Sequence, residues 1–119
     1  MSLSRREQNR HDFPHRESVR FDSERLALAL RDGAPSVLFA FLLGSAADGL
    51  VPRYSDLDVA VYLNPEDKSD WDCISGVVKL VEDELGNKAE ADVGVLNTAG
   101  VVFRREAIKS RLLFVRAEA

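Results

Sequence analysis

Two short motifs at a fixed spacing could do chemistry together. Gly44-Ser45 ends an apolar run, ten residues intervene, and Asp56 and Asp58 open the next one. On a strand, residues i and i+2 point to the same face, so these two carboxylates project side by side. Leu57, Val59, Val61 and Leu63 then point the other way, into a core. Carboxylates held this close repel one another unless a cation neutralises them. Hard oxygen ligands on one rigid strand suit Mg²⁺, which takes one or two carboxylates plus waters and substrate phosphates. Asp92 offers a third carboxylate from a later strand, and Gly94 leaves open space two residues along the same face. Three carboxylates from two strands can hold two metal ions, which lie about 3.5–4 Å apart in phosphoryl-transfer sites. Gly44 meets the other half of the need. A strand that ends in Gly-Ser and turns can bring backbone N–H groups close to a phosphate, and the Ser45 hydroxyl can donate one more hydrogen bond. A helical turn over residues 46–48 would add the anion preference of a helix N-terminus, and Gly49 would relieve crowding where the turn ends.

The elements that must position these residues follow from the apolar pattern. Phe21 to Asp32 reads as a helix with Ser23 as N-cap, Leu26, Ala29 and Leu30 on one face, and Gly33 and Pro35 as its stop. Ser36–Leu43 is a near-continuous apolar run, the mark of a strand covered on both faces. Asp56–Leu63 is a second strand. Ser69 opens a helix whose face carries Trp71, Ile74, Val78, Val81 and Leu85, with Gly86 ending it. That face predicts a core position for Trp71. Glu90–Leu96 reads as a third strand, weakened by Gly94. Thr98 caps a last helix running to about Lys109, and Arg111–Val115 is a short closing strand. Strands joined by short links and covered by a few helices predict an α/β (α+β) sandwich with a mixed sheet in a single small domain over residues 21–119. Residues 1–20 are polar and without period, and read as a flexible leader. His11 and His15 have helical metal-pair spacing, but Pro14 between them argues against a helix there.

The whole chain has 119 residues and a net charge of −4, but the charge is unevenly placed. Residues 1–20 hold five basic and three acidic side chains, residues 44–97 four and twelve, and residues 98–119 five and two. An acidic middle therefore lies between a basic head and tail. Most such segments are hydrated surface. Beyond the three assigned carboxylates and Asp48, the acids here, mostly on the second helix and its flanks, keep that reading. A sequence pI of about 5.2 speaks against a general or sequence-specific nucleic-acid binder. No apolar run approaches the ~18 residues of a membrane span, and the start Ser2-Leu3-Ser4-Arg5-Arg6 has no apolar core of a secretory signal. Cys73 is the only cysteine, so no disulfide framework is expected, and a reducing cytoplasmic setting fits.

Gly-Ser, ten residues, then Asp-x-Asp arises by chance in about one chain per thousand of this length at average residue usage. The pattern resembles the signature of the DNA polymerase β-like nucleotidyltransferase superfamily. The small size is similar to its minimal nucleotidyltransferases, many of them antitoxins (MntA-type) encoded beside a HEPN-domain ribonuclease toxin. The resemblance covers roughly residues 23–116 and includes Ala91-Asp92-Val93-Gly94-Val95-Leu96-Asn97 as the last carboxylate strand. It implies ATP as substrate, Mg²⁺ as cofactor and transfer of AMP to a tyrosine hydroxyl of the toxin, which silences it. Carried over by residue, Gly44 and Ser45 hold the nucleotide phosphates. Asp56 and Asp58 are metal ligands. Asp92 binds the catalytic metal and helps to deprotonate the attacking hydroxyl. The chain departs from the family in one place. An aromatic or Arg, then Ala, then Arg or Lys, then Gly often follows Gly-Ser, and here stand Ala46, Ala47, Asp48 and Gly49. An acid beside a triphosphate weakens binding unless it points away or joins a metal. Arg53, in the same loop, is the candidate to restore the lost charge.

Three functions stay open on this reading. The first is an active protein adenylyltransferase acting on a HEPN toxin. The second is a binding module of the same fold that neutralises its partner by contact alone, a reading that Asp48 favours. The third is a transferase for a small molecule such as an antibiotic or a nucleotide, ranked last for want of a substrate domain. Tyr62 shares the Asp face of its strand, and its simpler reading is a covered sheet residue. Arg104, Arg105 and Lys109 could face a partner or a nucleotide from the last helix. Leu50-Val51-Pro52 is an apolar loop available to close over a nucleotide or meet a partner. A small sheet with a short closing strand also leaves an edge for a partner or a second copy.

Overall fold

Alternation along the chain builds a two-faced sheet. The computed structural model describes residues 17–44, 49–53, 55–66, 70–108 and 110–116. In chain order these form β1 (Val19–Arg20), α1 (Ser23–Gly33), β2 (Val37–Leu42), β3 (Leu50–Val51), β4 (Leu57–Leu63), α2 (Asp70–Glu84), β5 (Ala91–Val95), α3 (Val101–Ile108) and β6 (Arg111–Val115). Four strands make the main sheet in the order β5-β4-β2-β6. β2 is antiparallel to β4 and β6, and β4 is parallel to β5, so the sheet is mixed as expected. Among the described residues no helix is long and apolar enough to cross a membrane.

One face of the sheet carries the main core. Val37, Ala40 and Leu42 of β2 and Leu57, Val59, Val61 and Leu63 of β4 pack with Leu26 and Leu30 of α1 and Val77, Val81 and Leu85 of α2. Cys73 lies partly buried against this cluster, where it acts as a small apolar side chain. The opposite face carries a smaller cluster of Ala60, Leu96 and Ala107 of α3, edged by Phe39, Phe41, Leu43 and Tyr62. β2 is therefore apolar on both faces because both are covered, as its unbroken run required.

Several local expectations are corrected. The N-cap of α1 is Asp22, not Ser23: its carboxylate accepts from the amides of Glu24 at 2.9 Å and Arg25 at 3.3 Å. A carboxylate there also meets the positive end of the helix dipole. α3 begins at Val101 rather than near Thr98, with the Arg104 amide donating to the Gly100 carbonyl. Val19 and Arg20, inside the expected leader, form β1 and pair with Val51 and Leu50. Leu50-Val51 is therefore not an open apolar loop: Val51 is 0% exposed and belongs to the core. Trp71 is not core. It is 81% exposed, because the core-facing stripe of α2 runs through Cys73, Val77, Val81 and Leu85, four residues apart, and Trp71 lies off that stripe. Trp71→Ala should then change unfolding stability by no more than about 0.5 kcal/mol, read from urea denaturation. His11 and His15 lie outside the described residues, as does Ser69, the expected start of the second helix.

Arg116 closes the fold at its far end. Its Nε donates to the Val37 carbonyl at 2.8 Å, and its Nη2 donates to the carbonyls of Arg31 at 2.8 Å and Ala34 at 3.0 Å. Its guanidinium also lies 5.6 Å from the Phe114 ring centroid. One side chain thus ties the end of β6 to the C-terminus of α1, where cations are favoured. Hydrogen bonds from a charged donor contribute more than neutral ones, so Arg116→Ala should lower unfolding stability by about 2 kcal/mol, measured as a shift of the urea midpoint at constant slope.

Candidate active site

Backbone register sets two of the candidate carboxylates beside one another at one end of the sheet. Asp58 lies on β4 directly beside Asp92 on β5, with Leu57 paired to Ala91 before them and Val59 to Val93 after. Neighbouring strands lie about 4.8 Å apart, so the two side chains leave the same face from adjacent backbones. Asp56 stands two residues earlier, one position before β4 begins. Asp56 and Asp58 are half-buried and Asp92 is exposed. The face they share is that of Phe41 and Ala60, opposite the main core. Buried neighbours thus fix the backbone of each carboxylate while its oxygens stay at the rim.

β2 delivers the second half of the motif to the same end. The Leu43 amide donates to the Asp58 carbonyl at 3.0 Å, and the chain then leaves the sheet at Gly44. Gly44 has φ +71°, a left-handed conformation that glycine adopts without cost. An added Cβ there would meet no described residue within 4 Å, at the carboxylates' end of the sheet. The loop returns through Gly49, whose φ is +90° and whose absent Cβ would lie 3.1 Å from the Phe21 carbonyl oxygen. The Phe21 amide donates to the Gly49 carbonyl at 3.0 Å, so the loop is pinned there. Ser45 and Asp48 lie outside the described residues. Arg53 is exposed on a turn closed by the Ser55 amide donating to the Pro52 carbonyl at 3.1 Å.

The donor set suits a hard cation: carboxylate oxygens from two adjacent strands, held by the ladder, at a solvent-accessible rim. Among the described residues no group of three or more His, Cys, Asp or Glu side chains is gathered so as to hold a metal ion. What the fold supplies is backbone register, which brings Asp58 and Asp92 side by side and Asp56 onto the same face.

Other candidates have different roles. Tyr62 stacks on Phe39 with centroids 4.9 Å apart and an interplanar angle of 3°, so it belongs to the apolar floor. Arg104 is committed to backbone: its Nε donates to the Leu96 carbonyl at 3.0 Å and its Nη2 to the Asn97 carbonyl at 2.9 Å. Asn97 in turn both accepts from the Leu63 amide and donates to the Leu63 carbonyl, each at 2.8 Å. Together they lock α3 to the ends of β4 and β5. Arg105 is exposed, and Lys109 lies outside the described residues. Two acids of the expected hydrated face are buried instead, Glu82 at 9% and Glu90 at 7% exposure. Glu82 was legible in principle, since it interrupts the stripe Val78, Val81, Leu85 at helical spacing.

Known proteins share this architecture. A chain from the toxin–antitoxin pair MntA–HpeT, solved with two aspartates changed to glutamate, is 20% identical, with 81% of this chain and 75% of that one covered and a TM-score of 0.63. A chain from a toxin–antitoxin structure with AMP-PNP is 22% identical, with coverage of 81% and 75% and a TM-score of 0.62. A chain from the tri-AMPylated Shewanella oneidensis HEPN toxin in complex with an MNT antitoxin is 19% identical, with coverage of 79% and 70% and a TM-score of 0.56. No curated protein matches the chain. The family model described as polymerase beta, nucleotidyltransferase matches residues 28–119, which contain β2, β4 and β5 together with every candidate site residue. With its carboxylate strands and glycine turn at one end of such a sheet, the chain belongs to the polymerase β nucleotidyltransferase family.

Proposed function

We propose that the chain is a Mg²⁺-dependent adenylyltransferase that moves AMP from ATP to a tyrosine hydroxyl of a HEPN-domain toxin and so acts as its antitoxin. One observation carries the reading: the pairing of Asp58 with Asp92, with Asp56 on the same face, at the end of the sheet where Gly44 turns. The named states of similar structures support it, since one toxin is tri-AMPylated and another complex holds AMP-PNP. The setting we infer is the reducing cytoplasm, where Cys73 stays a thiol.

Asp56, Asp58 and Asp92 would hold Mg²⁺, as a two-ion site. When bound, the metal offsets triphosphate charge and lowers the pKa of the attacking hydroxyl. The chain's own residues do the rest by positioning. Gly44, with Ser45, presents backbone N–H groups to the phosphates, and Arg53 supplies positive charge from the same loop. The acceptor oxygen attacks the α-phosphorus in line, the bond to pyrophosphate breaks, and Asp92 helps to take the hydroxyl proton. Incubation with labelled ATP, Mg²⁺ and the toxin encoded beside this chain should label the toxin. Equal absence of label with wild type and Asp56→Asn overturns the reading.

Asp48, standing where the family often has Arg or Lys, favours a second reading, neutralisation of the toxin by contact alone. In that case the fold would act as a binding surface and the carboxylates would be dispensable.

A further inference from the structure

Asp92 sits near the start of an edge strand. Among the described residues β5 has β4 on one side only, and it has five residues of its own with Gly94 fourth among them. On the β4 side it is held by the ladder, where the Leu57 amide donates to the Glu90 carbonyl at 2.9 Å. In a parallel pair, successive amides point alternately toward and away from the partner strand, so the Ala91 amide faces the open edge. That amide does not go to water. It donates to Oε2 of Glu82 at 3.0 Å, from the last turns of α2.

Glu82 is an unusual residue for its place. It is 9% exposed on a helix face whose other members include Val81 and Leu85, at 0% and 2% exposure. An apolar residue would pack there without the desolvation cost of a carboxylate. A charge-assisted hydrogen bond to a strand amide offsets that cost and fixes the strand's position. We propose that Glu82 is a positioning residue for the reaction: its carboxylate accepts the outward-facing Ala91 amide, as a neighbouring strand would, and so holds Asp92 in register beside Asp58. This inference rests on the role given to Asp92 in the proposed function. Glu82 touches neither nucleotide nor acceptor, and acts only through the backbone of the residue before Asp92.

The test compares Glu82→Gln, which keeps a carbonyl acceptor at the same reach, with Glu82→Leu, which removes it. Glu82→Asp, one methylene shorter, replaces the Leu variant if that chain does not fold. Amide hydrogen exchange on the full chain reads the contact directly, without turnover. Exchange at Ala91 should quicken about tenfold in Glu82→Leu and stay within about twofold of wild type in Glu82→Gln. In labelled-ATP assays, Glu82→Leu should lower kcat about tenfold at unchanged KM for ATP, and Glu82→Gln should retain at least about half of it. Placed on Asp92→Asn, Glu82→Leu should add no further loss, because the two act as one unit. Unchanged Ala91 exchange in Glu82→Leu, a Gln variant as impaired as Leu, or multiplicative losses with Asp92→Asn would each overturn the proposal. Wild-type chain that transfers no AMP would sink the adenylyltransferase reading instead, while the exchange measurement still decides what Glu82 holds.

Discussion

On the proposed adenylyltransferase reading, Asp58→Asn should abolish AMP transfer, with kcat reduced by at least about a thousandfold. The substitution keeps shape and size at a half-buried position on β4 and removes one negative charge. Asp58 lies between Asp56, one position before its strand begins, and Asp92 on the next strand, so it is central to the three candidate carboxylates. A metal at a phosphoryl-transfer site contributes several kcal/mol of charge stabilisation, and about 4 kcal/mol corresponds to a factor near a thousand in rate. Labelled-ATP transfer measures the effect. Toxin challenge in cells separates the two readings of function. An adenylyltransferase loses protection with Asp58→Asn, and a contact-only antitoxin keeps it in full.

Gly44→Ala should raise KM for ATP about a hundredfold, through the backbone rather than through any lost contact. The left-handed conformation at φ +71° costs a residue with a Cβ roughly 1–2 kcal/mol, and the loop can escape that cost only by rotating. Rotation turns the following amides away from the phosphates they are proposed to meet. If the backbone does not rotate, the new methyl occupies space in front of the turn where no described residue lies within 4 Å. Either outcome weakens nucleotide binding, and a hundredfold corresponds to about 2.7 kcal/mol. Isothermal titration with a non-hydrolysable ATP analogue and Mg²⁺ reads the loss. Binding within threefold of wild type would remove Gly44 from the phosphate site.

Much of this arrangement was legible because it is written in period two. Leu57, Val59, Val61 and Leu63 alternate with Asp58, Ala60 and Tyr62, and that alternation alone assigns the carboxylates to the face away from the main core. The closing strand matched residue for residue, since Ser110 and Arg116 bound an apolar run too short for a helix. β1 and β3 were not legible: two residues each carry no period, and their pairing joins Val19 to Val51 across the whole of α1 and β2. Trp71 misled because it precedes Ile74 by a helical spacing, yet the stripe that α2 buries runs through Cys73, Val77, Val81 and Leu85 at intervals of four, and Trp71 lies off it. Helix starts slipped at Ser23 and Thr98, where adjacent residues could also cap and only the fold decides between them. Glu82 was invisible as a positioning group because its partner is a backbone amide nine residues away, which sequence does not mark.

The strand order has a consequence for how the molecule is made. β2 is central, and its neighbour β6 pairs Phe39 with Val115, 76 residues later in the chain. At synthesis rates of about 5–20 residues per second, that interval lasts roughly 4–15 seconds. Throughout it the long edge of β2, apolar on both faces, has no partner on that side, which is the condition under which strands recruit the wrong neighbour. The carboxylate side of the sheet is therefore synthesised first, and the nascent chain carries Asp56, Asp58 and Asp92 before β6 is available to close the core.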